Sequence, residues 1–110
     1  MRADVYAEFV KMSAHPKKFG TEYDERAPLF LGAMGLCGEA GEVSEHFKKH
    51  LLHAKPLDLA KVKEEMGDVL WYFQLICNNH GFTIDEIKEG NMRKLCDRFG
   101  YDRAKWLGDE

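Results

Sequence analysis

Two short acidic segments of the sequence carry the side chains best suited to bind a metal ion. Glu39 and Glu42 lie in GEAGEV, and Glu65 and Asp68 lie in EEMGDV. Each residue of the first pair precedes its counterpart by 26 positions, from 39 to 65 and from 42 to 68. One such pair is common on the solvated face of a helix, but its repetition together with a neighbouring glycine and valine indicates a shared site.

Helical geometry predicts that these four carboxylates converge. On a helix that turns about 100° per residue, both acidic pairs lie at the edge of an apolar stripe, half turned inward. If the two helices fold back antiparallel about a turn at residues 54–57, Glu42 and Asp68 lie level to within roughly 1.5 Å. Clustered carboxylates repel one another unless protons or cations compensate their charge. Because hard oxygen ligands favour Mg²⁺ or Mn²⁺, we predict a Mg²⁺ site that Mn²⁺ can also fill.

The few prolines and the potential capping residues favour helices separated by short loops. The chain has only three prolines, Asp58 can cap one helix, and Thr83 with Glu86 forms a capping-box pattern for another. We predict an all-α fold in a single domain over residues 1–110, with a loop at residues 15–27. The tail over residues 99–110 is left without an assigned structure. The four predicted helices span about residues 4–14, 28–53, 59–80 and 84–99.

The third predicted helix is apolar on nearly every side. Its sequence VLWYFQLIC leaves almost no polar face, and a helix that is apolar all round must be covered all round. A chain of 110 residues builds only a modest core by itself. We therefore expect a partner subunit to pack against this helix, in a homodimer or homotetramer.

The fourth predicted helix adds polar and basic side chains. Asn91 lies on the apolar face with Leu95, where a polar group needs a partner. A second antiparallel turn would bring Lys94 nearly level with Asp68, with Arg98 one turn later. An asparagine, a lysine and an arginine beside a metal–carboxylate cluster would suit a phosphorylated ligand. The alternative is an ordinary basic outer face.

Composition and charge narrow the class of protein. The formal net charge is -3 and the pI is about 5.9, which does not suit a nucleic-acid-binding surface. The N-terminus lacks an apolar signal core, and the longest apolar run is too short to span a bilayer. Cys37, Cys77 and Cys96 are odd in number and lack CxxC spacing, so we expect buried free thiols. We predict a cytoplasmic protein that binds neither nucleic acid nor membrane.

In their order and spacing, the motifs resemble those of the MazG-like, all-α nucleoside triphosphate pyrophosphohydrolases. The resemblance rests on GEAGEV, EEMGDVLWY and the later NMRKL, and it covers roughly residues 30–98. It implies a four-helix-type bundle completed by oligomerisation, with Mg²⁺ held by Glu39, Glu42, Glu65 and Asp68. It also implies hydrolysis of a nucleoside or deoxynucleoside triphosphate between the α- and β-phosphates, which gives the nucleoside monophosphate and pyrophosphate.

The resemblance also implies roles for residues around the acidic cluster. Tyr72, one turn after Asp68, matches a family position near the substrate. Glu39 or Glu42 would act as the base towards the attacking water. Phosphate oxygens would be held by Lys94, Arg98 and Lys49.

Other interpretations of the same residues stay open. The chain could be a helical interaction module whose acidic faces only keep it soluble. A di-iron carboxylate bundle would need Glu-x-x-His from two helices, and the sequence has no ExxH. A histidine stripe with metal-like spacing could form a zinc site, lie beside the acidic site or be solvated, and it comprises His46, His50 and His53. Three aromatic side chains could stack on a base, although core or interface packing is favoured: Trp71, Phe73 and Trp106.

Four glycines lie three residues apart in and before the first acidic segment. Gly32 and Gly35 project to the side of the carboxylates, so we predict that they leave room above the site. Gly38 and Gly41 project to the far side, where we expect another helix to approach closely.

Overall fold

The computed structural model describes residues 3–14 and 27–109. The predicted loop at residues 15–27 lies almost wholly outside them. The described residues contain helices and no strand, so the all-α prediction is confirmed. The five helices are α1 (Ala3–Ser13), α2 (Ala27–His53), α3 (Leu59–His80), α4 (Ile84–Phe99) and α5 (Arg103–Leu107).

The ends of α3 and α4 follow from side chains that satisfy free backbone groups. The Asp58 carboxylate accepts a hydrogen bond from the Lys61 amide at 3.2 Å, which caps α3. Gly81 ends α3 in the left-handed conformation, with φ of 72°. The Thr83 hydroxyl accepts from the Glu86 amide and the Glu86 carboxylate accepts from the Thr83 amide, which completes the predicted capping box of α4.

Helices α2 and α3 form an antiparallel hairpin, and α1 packs against α3. Two side chains of α3 join it to α1. The Trp71 indole Nε1 donates to the Ser13 hydroxyl at 2.9 Å, and the Asn78 amide donates to the Ala7 carbonyl at 3.0 Å. These bonds hold α1 against the part of α3 that follows Asp68.

Helix α4 packs on α5 and, within the described residues, has no extensive contact along α2 or α3. The expectation that a second antiparallel turn brings Lys94 level with Asp68 is therefore wrong within one chain. The helix caps at Gly81 and Thr83 end one helix and begin the next, but they do not set the angle between them. The tail, which had no assigned structure, folds back as α5 and is held by ion pairs of Arg93 with Asp109 and of Arg103 with Asp97.

The buried core of the described part is small. Its apolar members are Val10, Val62, Leu75, Cys77 and Cys96. The radius of gyration is 17.6 Å, whereas a compact chain of this length has about 13 Å. Large apolar side chains on α2 stay exposed, among them Met34 at 68% and Leu51 at 78%. This exposed apolar surface is what the predicted partner subunit would have to cover.

Two further expectations concern cysteines and membranes. All three cysteines are free, but Cys37 is exposed, so the prediction that every thiol is buried is wrong for Cys37. Helix α2 presents Cys37 on a face that no element of the described chain covers. None of the described helices combines the length and the apolar character that crossing a membrane requires.

Candidate metal centre

Three of the four predicted carboxylates meet where α2 and α3 pack together. One oxygen each of Glu39, Glu65 and Asp68 lies within 4.8 Å of the others. Helix α2 supplies Glu39, and α3 supplies the other two from successive turns. Glu39 and Glu65 are half-buried and Asp68 is exposed, so the cluster opens to solvent on one side. The spacing of 26 residues and the turn between the helices together produce this convergence.

The surroundings of Glu39 disfavour the charged form of its carboxylate. Burial raises the pKa of Glu39 above its ordinary value, and the charges of Asp68, Glu65 and Glu42 raise it further. A hydrogen bond between Glu39 and Glu65 acts in the same direction. A proton or a cation would relieve the repulsion. Three carboxylates this close form the donor set that hard divalent ions prefer, so the residues present fit Mg²⁺ or Mn²⁺.

Glu42, the fourth predicted ligand, lies outside this close group. It is exposed on α2, although it is near enough for its charge to raise the pKa of Glu39. Residues three apart on a helix point about 60° away from each other, so when Glu39 turns towards α3, Glu42 turns towards solvent. Its role as a metal ligand remains a prediction.

A groove beside the cluster is lined by Glu39, Asp68, Trp71 and Tyr72. The indole of Trp71 meets the ring of Tyr72 edge to face, with centroids 5.0 Å apart. Tyr72 follows Asp68 by one turn of α3, and its ring lines the same groove as the carboxylates of Glu39 and Asp68. Its role near the substrate remains a prediction.

A second groove of about 450 Å³ adjoins the first between α1, α2 and α3. Trp71 and Tyr72 line both grooves, so these two rings separate an acidic end from a mostly apolar end. The remaining lining residues come from all three helices: Ser13, Ala14, Leu31, Gly32, Met34, Gly35 and Leu75.

The surroundings of the four glycines of α2 differ from the prediction. A Cβ at Gly35 would lie within 2.5 Å of ring atoms of Tyr72, and one at Gly32 would lie 3.4 Å from Ile76. The room that Gly32 and Gly35 were expected to leave above the carboxylates is therefore filled by side chains of α3. In the described part of the chain, nothing lies within 4 Å of a Cβ at Gly38 or Gly41. The helix expected to approach Gly38 and Gly41 is therefore not found among residues 3–14 and 27–109.

The predicted phosphate-binding residues do not join the cluster within one chain. Asn91, Lys94 and Arg98 are exposed on α4, which lies apart from the α2–α3 hairpin. Lys49 is exposed on α2, roughly 10 Å along the helix axis from Glu42. Their roles as substrate-binding residues remain predictions.

One residue of the histidine stripe reaches the cluster. His46 Nε2 lies 3.7 Å from Glu65 Oε1, and both side chains are 23% exposed. His50 instead contacts the Lys55 carbonyl through Nδ1 at 2.7 Å. No close group of three potential ligands among the described residues contains a histidine, so the zinc alternative gains no support. The sequence signal for His46 was its position seven residues after Glu39, which places both on one helix face.

Comparisons with known proteins find similarity to one protein family. A family model described as the MazG nucleotide pyrophosphohydrolase domain matches residues 32–100, which include Glu39, Glu42, Glu65 and Asp68. Gene 37 protein of Mycobacterium phage L5 is 32% identical over 69 residues, which cover 59% of this chain. That match spans 60% of the length of the phage protein, whose name describes no activity. No solved structure matches the chain significantly.

Proposed function

Because the chain belongs to the MazG nucleotide pyrophosphohydrolase family, we propose that it hydrolyses a nucleoside triphosphate between the α- and β-phosphates. The products are the nucleoside monophosphate and pyrophosphate. The observation that carries the proposal is the meeting of Glu39, Glu65 and Asp68 within 4.8 Å. These three carboxylates would hold a Mg²⁺ ion, which would supply positive charge to the phosphates.

The four carboxylates would bind the metal ion, and one of them would also accept a proton. Glu39, Glu65 and Asp68 would hold Mg²⁺, with Glu42 as a further ligand. Mg²⁺, or Mn²⁺ in its place, would supply charge neutralisation for the phosphates and orient the attacking water when bound. Glu39 or Glu42 would accept a proton from that water as its oxygen bonds to the α-phosphorus. Pyrophosphate then leaves in line, carrying the bridging oxygen.

The aromatic wall would orient the rest of the nucleotide. Trp71 and Tyr72 line both the acidic groove and the adjoining groove of about 450 Å³. With the phosphates at the carboxylates, the nucleoside would extend past these rings into the mostly apolar end. Tyr72 is the residue that would contact the substrate at the boundary between the two.

The proposed phosphate-binding residues of α4 lie apart from the acidic cluster. Asn91, Lys94 and Arg98 lie on α4, which does not pack along α2 and α3 in one chain. Their proposed role in holding phosphate oxygens requires α4 of a second copy, or a movement of α4, to bring them to the cluster. This condition agrees with the expected homodimer or homotetramer. Lys49 lies on α2 itself, roughly 10 Å along the helix axis from Glu42, so its side chain would have to extend back towards the phosphates.

A panel of nucleoside and deoxynucleoside triphosphates, incubated with the protein and Mg²⁺, tests the proposal. Pyrophosphate and orthophosphate are scored separately for each nucleotide. Release of pyrophosphate with the monophosphate is expected, whereas orthophosphate release would contradict the position of cleavage. No turnover together with no stoichiometric Mn²⁺ binding would favour the interaction-module alternative.

A matched pair of variants on α3 ties the activity to the cluster. Glu65→Gln removes a carboxylate of the cluster, while Glu64→Gln removes its exposed neighbour, which pairs with Lys61 at 3.6 Å. Losing a metal ligand costs several kcal/mol of transition-state stabilisation, so kcat/KM of Glu65→Gln should fall about 100-fold or more. Glu64→Gln should retain the activity of the native protein. Equal activity of the two variants would contradict a role of the cluster in catalysis.

A further inference from the structure

His46 faces the acidic cluster across the interface between α2 and α3. Its Nε2 atom lies 3.7 Å from Oε1 of Glu65, and each side chain is 23% exposed. The contact joins two helices, unlike the exposed ion pairs Lys48–Glu45, Lys61–Glu64 and Lys88–Asp85, each of which joins residues three apart in sequence. Both partners are also less exposed than the members of those pairs.

Helix register gives His46 a fixed relation to the cluster. Seven residues correspond to almost two full turns, so His46 and Glu39 project from nearly the same face of α2, roughly 10 Å apart along its axis. Glu65 on α3 therefore meets a carboxylate from one turn of α2 and an imidazole from another. Glu39 repels the Glu65 carboxylate when both are charged, and a nitrogen-bound proton of His46 attracts it.

We propose that His46 is a positioning residue of the metal centre, which holds the Glu65 carboxylate in the orientation that binds the metal ion. The inference rests on the proposed function, because it concerns the same metal site. A donor that binds a ligating carboxylate restricts its rotation, and losing such a donor typically weakens metal binding about 10- to 100-fold. A shift of about 0.7 Å would bring the pair to an ordinary N–H···O hydrogen bond.

The other histidines of α2 provide internal controls. His50 Nδ1 contacts the Lys55 carbonyl at the end of the helix, and His53 is exposed at its last residue. Among the described residues, the histidine that contacts a carboxylate of the cluster is His46. A general effect of removing a histidine from α2 would therefore affect His53→Gln as much as a His46 variant.

Calorimetric titration of the full chain with Mn²⁺ tests the inference without any substrate. In His46→Leu the donor is absent, whereas in His46→Gln the amide nitrogen takes nearly the place of Nε2. We expect the Kd for Mn²⁺ to rise about 10- to 100-fold in His46→Leu. The Kd should stay within a few-fold of the native value in His46→Gln and in His53→Gln. Thermal unfolding of each metal-free variant checks that the fold is retained.

The outcomes separate the role of His46 from the proposed function. Native affinity in His46→Leu, or equal weakening in the leucine and glutamine variants, would overturn the positioning role and leave the metal site intact. Absence of Mn²⁺ binding in the native protein would overturn the metal site itself and the role of His46 with it.

Discussion

The ring of Tyr72 occupies the space beside Gly35, where a Cβ would lie within 2.5 Å of its ring atoms. Glycine at position 35 therefore lets α3 place an aromatic ring directly against the backbone of α2. Tyr72 is also one turn from Asp68 and lines the groove that contains Glu39. The close approach of the two helices at Gly35 thus sets where the aromatic wall stands relative to the carboxylates.

Replacing Gly35 by alanine should displace Tyr72 and destabilise the protein. Forcing a methyl group into a filled space costs about 1–3 kcal/mol, and the helix propensity of alanine offsets up to about 1 kcal/mol of this. The free energy of unfolding in urea should therefore fall by up to about 2 kcal/mol. Near-ultraviolet circular dichroism should change as well, because Tyr72 packs edge to face on Trp71. The matched control is Gly38→Ala, which faces open space and should gain up to about 1 kcal/mol from helix propensity. The same loss in both variants would contradict the packing role of Gly35.

Replacing Ser13 by alanine should loosen α1 on α3. The Ser13 hydroxyl accepts the indole N–H of Trp71, and a net hydrogen bond contributes about 0.5–1.5 kcal/mol. We expect a loss of that size in the free energy of unfolding and a red shift of Trp71 fluorescence as its N–H turns to water. Ser44→Ala, at an exposed position of α2, is the control and should not destabilise the protein. Unchanged fluorescence in Ser13→Ala would show that this bond does not anchor α1.

Replacing Glu39 by glutamine should stabilise the metal-free protein at neutral pH. Because the folded state raises the pKa of Glu39, it disfavours the charged form, and this cost is fully present above the raised pKa. Removing the charge should raise Tm by about 2–4 °C. The gain should shrink as pH falls through the raised pKa and vanish below the ordinary value of 4.5.

The reverse effect is expected once metal is present. The native protein should gain Tm on addition of Mn²⁺, whereas Glu39→Gln should gain much less because it has lost a ligand. Glu45→Gln, exposed on the same helix and paired with Lys48, is the control for both measurements. A lower Tm for metal-free Glu39→Gln at neutral pH would contradict the repulsion within the cluster.

Loss of the negative charge of Asp109, by acid or by substitution, should release α5 from α4. Hydrogen bonds from Arg93 to Asp109 lower the pKa of that carboxyl below its ordinary value, and the charges of Arg93 and Arg103 lower it further. A lowered pKa stabilises the folded tail at all pH values above the ordinary one, and this stabilisation is lost as pH falls through the lowered pKa. Hydrogen exchange of the α5 amides should therefore accelerate in Asp109→Asn at neutral pH. Lys88→Gln, which breaks an exposed pair with Asp85, should leave α5 protected.

The sequence was sufficient for the features that depend on local register. The carboxylates converge because a spacing of 26 residues and a short turn fix which turns of α2 and α3 face each other. The caps at Asp58 and Thr83 were readable because each is a local hydrogen-bond pattern. The tail helix had the same kind of signal, since Asp102 caps its start and Gly108 ends it in the left-handed conformation.

Features that depend on packing between helices were not readable. The course of α4 depends on the angle at which it leaves Gly81 and Thr83, and neither cap sets that angle. The space beside Gly35 depends on the side-chain rotamer of Tyr72, which is chosen by the contact of α3 with α2. The exposure of Cys37 follows from the absence of a covering helix in the described chain, although its neighbours in the sequence are apolar.

Hydrolysis of a triphosphate in H₂¹⁸O tests the central claim most directly, because it reports which phosphorus the water attacks. The protein is incubated with Mg²⁺ and the best nucleotide of the panel, and both products are analysed by mass spectrometry. Attack on the α-phosphorus predicts one ¹⁸O atom in the nucleoside monophosphate and none in pyrophosphate. Label in pyrophosphate, or release of labelled orthophosphate, would contradict the proposed reaction.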